Sequence, residues 1–427
     1  MHRVVWLSVL FSSLLFSSLL FSSPALAQSI AAPAAPEPTG PRLRLTGFAH
    51  FDYVHRQSSV NQISSAGEPL NEDRFLLRRA RLKALFEYRI LSGTLELDVN
   101  TVRGSQARPI GVDVSLRWPP PVADAPPAIM ATLGIFKMPF GSEVMLEGDT
   151  QRHFAERSTV VRALFPGEYD LGARVQGAFA VFRYAVALMN GNPLGDRSFP
   201  TRDPNDSKDI LGRVGIDLAP SPRSKLIAGV SALFGTGFDP GRAETKDSLV
   251  VQDRNHNGLL DPGEATIESG SPAVPGKNFS RSAFGGDLRF VVALPRLGAL
   301  TLYGELIYGK NLDRALQPAN PVAQGRELRE LGGYVAFTQE LSRYAALGLR
   351  YDVYNPDLDA TFGSGSTRTP YDASYSTLAL AGSLRYPGVA RLIVEYEANL
   401  NHQGRDEHGA PTELHDDVFL LRGEAVF

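Results

Sequence analysis

Strand-like segments in this chain are joined by connections that alternate short and long, and this restricts the fold more than any other feature. The segments themselves carry a period of two. In "RLRLTGFAHFDYV", Leu43, Leu45, Ala49, Phe51 and Tyr53 fall on one parity, and Arg42, Arg44, Thr46, His50 and Asp52 on the other. "TLELDVN" sets Leu95, Leu97 and Val99 against Glu96, Asp98 and Asn100, and "RLIVEYEANLN" repeats the split near the end of the chain. Such alternation marks strands with one apolar and one polar face. Short turns are predicted near 89–93, 180–183, 219–222, 295–298, 340–343 and 386–388, with the proline-rich 119–127 as a longer member of the same class. Long polar segments fall between them, near 55–73, 138–169, 191–208, 236–280, 310–328, 355–371 and 402–413. The pattern yields about sixteen strands of roughly ten residues, enough for each to cross a bilayer at a tilt. Short turns at one rim and long loops at the other predict an all-β fold, an antiparallel transmembrane β-barrel occupying 42–427.

The two ends agree with export to a membrane. His2 and Arg3 precede an apolar, serine-rich run that ends in "ALA" at 25–27, the pattern of a signal peptide over residues 1–27. The Pro/Ala-rich stretch 28–41 has little to bury and is expected to be a linker. At the other end, "VFLLRGEAVF" places Phe419, Leu421, Gly423, Ala425 and Phe427 on one parity. An amphipathic last strand ending in an aromatic residue is the signal expected to engage barrel-assembly machinery in a bacterial outer membrane. The chain has no cysteine, which excludes disulfides and thiolate metal sites, and its formal charge of −3 argues against nucleic acid as a partner. Neither a G-x-S-x-G elbow nor an H-E-x-x-H pair occurs, so no enzyme chemistry is expected.

If the polar parity faces the lumen, the expected pore-lining residues include Arg42, Arg44, Arg79, Arg81, Lys83 and Arg174, with Glu96 and Asp98 among the opposing carboxylates. Arginine suits an oxyanion path because its planar fork pairs with such groups and stays charged. The lumen cations and carboxylates nearly balance, so mutual pairing that keeps the lumen wet is the competing reading.

Several stretches carry a family resemblance. "FLLRRARLKALFEY" (75–88), "GIFKMPFGSEVM" (134–145), "HFAERSTVVRALFPGEYDLGARVQG" (153–177) and "YAVALMNGNP" (184–193) follow in order. With the terminal strand, they make the chain resemble the phosphate-selective porins of the porin O and P type. The resemblance implies a sixteen-stranded, water-filled barrel in outer-membrane lipid, usually a homotrimer, passing small anionic solutes such as phosphate. Lysine is scarce here and arginine abundant, a departure from a lysine-based phosphate path. In sixteen-stranded porins the loop after the fifth strand commonly folds inward, which makes 138–169 the expected constriction loop. Lys137, Glu156, Arg157 and Arg162 are its candidate residues. Arg157 and Arg162 are the expected contacts for a permeating anion, and the alternative is that Glu156 and Arg157 pin the loop to the wall.

One motif stands apart. "DRNHNGLLDPGE" (253–264) has the spacing of an EF-hand calcium loop, within 236–280, which should lie outside the cell. Asp253, Asn255, Asn257, Leu259, Asp261 and Glu264 are the candidate oxygen ligands for a structural calcium ion, with Gly258 at the sharp turn. Two further functional readings stay open. A weakly selective or sugar channel is one, and for sugars aromatic residues would be needed along the lumen, whereas Tyr53, Tyr351 and Tyr396 fall on the lipid parity. The other is a secreted, calcium-stabilised β protein.

Overall fold

A computed structural model describes residues 40–65, 67–119, 126–194, 202–252, 254, 256–363, 368–407 and 409–427. The predicted signal peptide, all but the last two residues of the predicted linker, and Asp253 and Asn255 lie outside the described residues.

Sixteen antiparallel strands close into one barrel, each paired with its neighbours in chain order. We number them β1 Arg42–Arg56, β2 Arg74–Tyr88, β3 Leu91–Asn100, β4 Gln106–Trp118, β5 Ile129–Lys137, β6 Tyr169–Phe179, β7 Phe182–Met189 and β8 Asp209–Ser221. The second half comprises β9 Ser224–Asp239, β10 Lys277–Ala293, β11 Ala299–Lys310, β12 Arg329–Ser342, β13 Ala345–Asn355, β14 Tyr375–Tyr386, β15 Ala390–Asn401 and β16 Val418–Val426. β1 closes the barrel against β16, and the backbones of Gly47 and Phe427 exchange hydrogen bonds of 2.8 and 2.9 Å. Closure leaves no sheet edge with unpaired backbone groups, the condition for a sheet in hydrocarbon.

The connections follow the predicted rhythm with one exception. Residues 101–105, between β3 and β4, lie on the long-loop rim yet form a tight turn, so a rim position does not dictate length. The longest connection, between β9 and β10, carries a small hairpin, Ser248–Val251 paired with Ala265–Glu268.

Leu43, Leu45, Phe75, Leu133, Val186, Leu188, Val230, Leu306, Val335, Leu380 and Leu400 are all exposed on the outer face. A continuous apolar belt of this extent on a closed sheet is a lipid-facing surface, since soluble proteins rarely expose apolar patches beyond a few hundred Å². Tyr351 and Tyr396 are exposed on the same face, as their parity predicts.

The core lies inside the barrel. After β5 the chain turns into the lumen and forms two short helices, α1 Ser142–Met145 and α2 Thr159–Leu164, before returning at β6. Phe140, Val144, Val160, Val161, Leu164 and Phe165 of this loop pack with Ala187, Met189, Leu211, Leu233, Ala283 and Ile307 from β7 to β11. The rings of Phe140 and Phe165 stack with centroids 4.7 Å apart. Complete burial of such side chains contributes about 1.5–3 kcal/mol each. The inner face of β7–β11 is therefore partly apolar, which an assignment of the lumen from charged residues overlooks.

Candidate functional site

The inward loop touches the wall at a series of anchors. Its entry is held first: Gly141 donates its N–H to Ser231 Oγ at 3.0 Å, and the N–H groups of Ser142 and Glu143 donate to Glu305 Oε2 at 3.3 and 3.2 Å. Gly141 has φ of 60°, and a Cβ there would stand 1.8 Å from Glu305 Oε1, so only glycine permits this approach. Next, Glu147 accepts from Arg289 at 2.8 Å, and Asp149 pairs with Arg81 and Arg152. Arg391 then donates to the Arg152 carbonyl at 2.7 Å.

The densest anchor surrounds Glu156. Arg78 reaches it in a fork, Nε at 2.7 Å and Nη2 at 3.0 Å, and Arg422 Nη2 lies at 2.7 Å. Arg79 is more distant at 3.5 Å. Arg422 also binds Asp52 through two bonds of 2.7 Å, Arg350 donates to the Glu156 carbonyl at 2.8 Å, and Ala155 N–H donates to Glu395 at 2.5 Å. One short segment is thus tied to β2, β13, β15 and β16 together. Burial pushes the Glu156 carboxyl up, but Arg78, Arg79 and Arg422 outweigh it and hold the group well below the usual carboxylate range. Asp149 is likewise buried and is likewise held well below that range, by Arg152, Arg81 and Arg79. Glu143 moves the other way: burial and the nearby Glu147 push it up.

Arg79 and Arg81 of β2 thus face the lumen as their parity requires, and both are buried against the loop. Arg81 also binds Asp98 at 3.2 Å, while Glu96 sits 3.7 Å from Arg81 and 3.5 Å from the half-buried Lys83. Arg42 and Arg44 stand apart, exposed at the short-turn rim. Arg174 is half-buried with its guanidinium 4.5 Å over the Phe136 ring. Lys137 donates to the Glu147 carbonyl at 3.0 Å and lies 3.3 Å from Glu168.

Arg157 differs from the expectation that it meets a permeating anion. It is buried and paired with Glu168, so its charge is engaged within the loop. Arg162 is half-buried and donates to Thr159 Oγ1 at 3.3 Å. The aromatic inventory of the lumen also needs correction. Tyr303 and Tyr334 point inward in a T-shaped pair with centroids 6.0 Å apart, and Arg289 stacks on Tyr303 at 4.7 Å. Both are buried, so they pack beneath the loop and form no exposed ladder for sugar rings.

Parity reasoning missed two residues. Arg78 lies on the apolar parity, but the β1–β2 register slips between His50 and Phe51, pairing His50 with Arg79 and Phe51 with Leu77. That bulge inserts Arg78 as an extra residue, which reaches the lumen beside Arg79. Arg422 shares the polar parity of Glu424 in the last strand, and that signal was available.

Within the calcium-type motif, Gly258 has φ of 74° and Glu264 is buried. Both Glu264 oxygens accept backbone N–H groups across the loop, from Arg254 and from Asp261, each at 3.0 Å. Asn257 Oδ1 accepts from Leu259 N–H at 2.7 Å. Among the described residues, no three His, Cys, Asp or Glu side chains cluster to hold a metal.

Solved structures with the same fold are outer-membrane proteins, a channel and a porin among them. The chain is similar to the outer membrane channel DcaP of Acinetobacter baumannii, with 11% identity over 91% of this chain and 98% of that one, and a TM-score of 0.53. An anion-selective porin from Comamonas acidovorans matches at 10% identity over 91% of this chain and all of the other, also with a TM-score of 0.53. The trimer form of OmpT from Vibrio cholerae gives 10% identity, coverage of 91% and 99%, and a TM-score of 0.52. At this level of identity the likeness establishes the porin-type barrel fold. No family model and no curated protein sequence matches the chain.

Proposed function

We propose that this chain is a bacterial outer-membrane porin giving passive diffusion to small hydrophilic solutes, with a preference for anions that extends to phosphate. The observation that carries this reading is the loop after β5, folded into the lumen of a closed sixteen-stranded barrel and held there by wall arginines. A loop so anchored narrows a lumen without closing the barrel. Arg79, Arg81, Lys83 and Arg174 supply positive potential beside the constriction, although Glu96, Asp98 and Asp149 offset much of it. The preference for anions is accordingly modest. The short turns face the periplasm, the final strand ending at Phe427 is the handle for barrel assembly, and the assembled form is a homotrimer.

The purified protein in a planar bilayer tests the reading. Steady channels with an anion-favouring reversal potential under a KCl gradient, blocked by added phosphate, are the expected result. Steady channels with no selectivity would reduce the reading to a general porin, and an absence of channels would overturn it.

We also propose that the 253–264 loop takes a structural calcium ion through the oxygens of Asp253, Asn255, Asn257, Leu259, Asp261 and Glu264. The inward-turned Glu264 carboxylate and the left-handed Gly258 support it. Millimolar calcium should protect residues 240–276 from limited proteolysis, and Glu264→Ala should remove that protection. Identical digestion with calcium and with chelator would refute the site.

A further inference from the structure

A cavity of about 360 Å³ lies between the short-turn rim and the inward loop, walled by β2 to β6. Its lining has two characters. Met130 and Phe136 of β5 and Met145 of the loop form an apolar side, and Lys83, Arg117, Lys137 and Arg174 contribute cations. The cations are not equivalent. Lys83 lies 3.5 Å from Glu96, Arg117 lies 2.9 Å from Glu87, and Lys137 lies 3.3 Å from Glu168. Arg174 has no carboxylate at ion-pair distance among the described residues: Nη1 donates to the Lys137 carbonyl at 3.3 Å, and Nε is buried without a hydrogen-bond partner.

We infer that this cavity is a binding site for a monovalent organic anion with an apolar body, an aromatic carboxylate being the fitting class. The inference rests on the channel reading above and names a solute class for it. Arg174 would receive the carboxylate on its planar fork, held in place by Phe136 beneath it. Met130 and Met145 would cover the apolar body, since methionine adapts to varied shapes. The volume lies within the range of small-molecule pockets, roughly 300–1,000 Å³. Inorganic phosphate fits this cavity less well. Near neutral pH it carries one to two charges and needs donors on every side, whereas here Lys83, Arg117 and Lys137 are already ion-paired, and Glu96 and Asp113 also border the space.

Benzoate binding to the full chain in detergent, read by saturation-transfer NMR, is the test, with inorganic phosphate as competitor. Benzoate should bind, phosphate at equal concentration should not displace it, and Arg174→Gln should weaken binding by about tenfold or more, the effect of losing a charge-assisted hydrogen bond. Met130→Glu, which places a carboxylate on the apolar side, should weaken it independently. Migration as an unheated, SDS-resistant species identifies variants that have assembled, and either one suffices. Equal benzoate binding by an assembled variant and the native chain, or displacement by phosphate, would overturn the inference. Bilayer recordings without benzoate keep the two readings separate. Channels without benzoate binding would sink the cavity alone, and benzoate binding without channels would sink the channel reading while leaving the site.

Discussion

The two sides of the inner wall hold the same loop by different physics. On the side formed by β1, β2 and β13–β16, the loop is fixed by ion pairs, Glu156 to Arg78 and Arg422 and Asp149 to Arg81, and by a hydrogen bond from Arg391 to the Arg152 carbonyl. Across β7–β11 it is fixed largely by burial, with Phe140, Val144, Leu164 and Phe165 packed on Met189, Leu211, Leu233 and Ile307. Apolar packing is non-directional and tolerates small shifts, whereas forked arginine–carboxylate pairs set a register. The difference assigns stability chiefly to the apolar side and loop position chiefly to the charged side.

The largest expected effect breaks the apolar side. Phe140 is fully buried, and Phe140→Ala should cost about 3–5 kcal/mol through lost transfer energy and the cavity left behind. Denaturant unfolding in detergent would measure it, with single-channel conductance nearly unchanged. A conductance change as large as the one expected next would collapse the distinction between the two sides.

Glu156→Gln attacks the charged side. It leaves Arg78, Arg79 and Arg422 around a neutral group and should cost about 3 kcal/mol, the low end for a broken buried pair, because Glu156 retains 16% exposure. The sharper signature is positional: noisier, larger conductance steps and protease cleavage within 146–158. Unaltered conductance would show that the charged anchors do not set the loop's place.

Acidification separates the anchors more gently. Because the folded Glu156 carboxyl sits below its ordinary value, its stabilisation is complete above that value, near pH 4.5, and fades only as pH falls through the depressed folded value. Glu143 has the opposite sign: its raised value costs stability near neutrality, and protonation relieves that cost as pH falls. Stability and loop position should therefore hold or improve slightly from pH 7 to about pH 5 and decline only in stronger acid. Glu156→Gln should remove part of that acid decline, and the similarly depressed Asp149 should carry another part. A loop released already at pH 6 would contradict the assignment.

The smallest effect concerns a pair outside the lumen. Arg329 and Asp359 form an exposed ion pair above β12, so Asp359→Asn should leave unfolding and conductance within experimental error. A clear effect there would mean that the exposed loops share in holding the constriction.

The barrel was legible because hydrocarbon imposes a strict local rule on each strand. Leu43, Leu45 and Phe75 must face lipid, and the alternation that puts them there is written residue by residue. Connection lengths likewise appear directly in the chain, so strand number and the contrast between rims follow from sequence alone. Where a lumen side chain finds its partner is a different kind of fact. Arg78 enters the lumen only because of a one-residue bulge, Arg157 turns to Glu168 within its own loop, and Tyr303 and Tyr334 vanish beneath a segment 130 or more positions away in the chain. The pairing of Glu156 with Arg422, 266 positions apart, depends on closure bringing the last strand against the first. Alternation along a strand is a local property of the backbone, so the sequence determined the barrel and its lipid face. The filling of the lumen and the sharing of its charges depend on long-range contacts made after closure, so only the tertiary structure decided them.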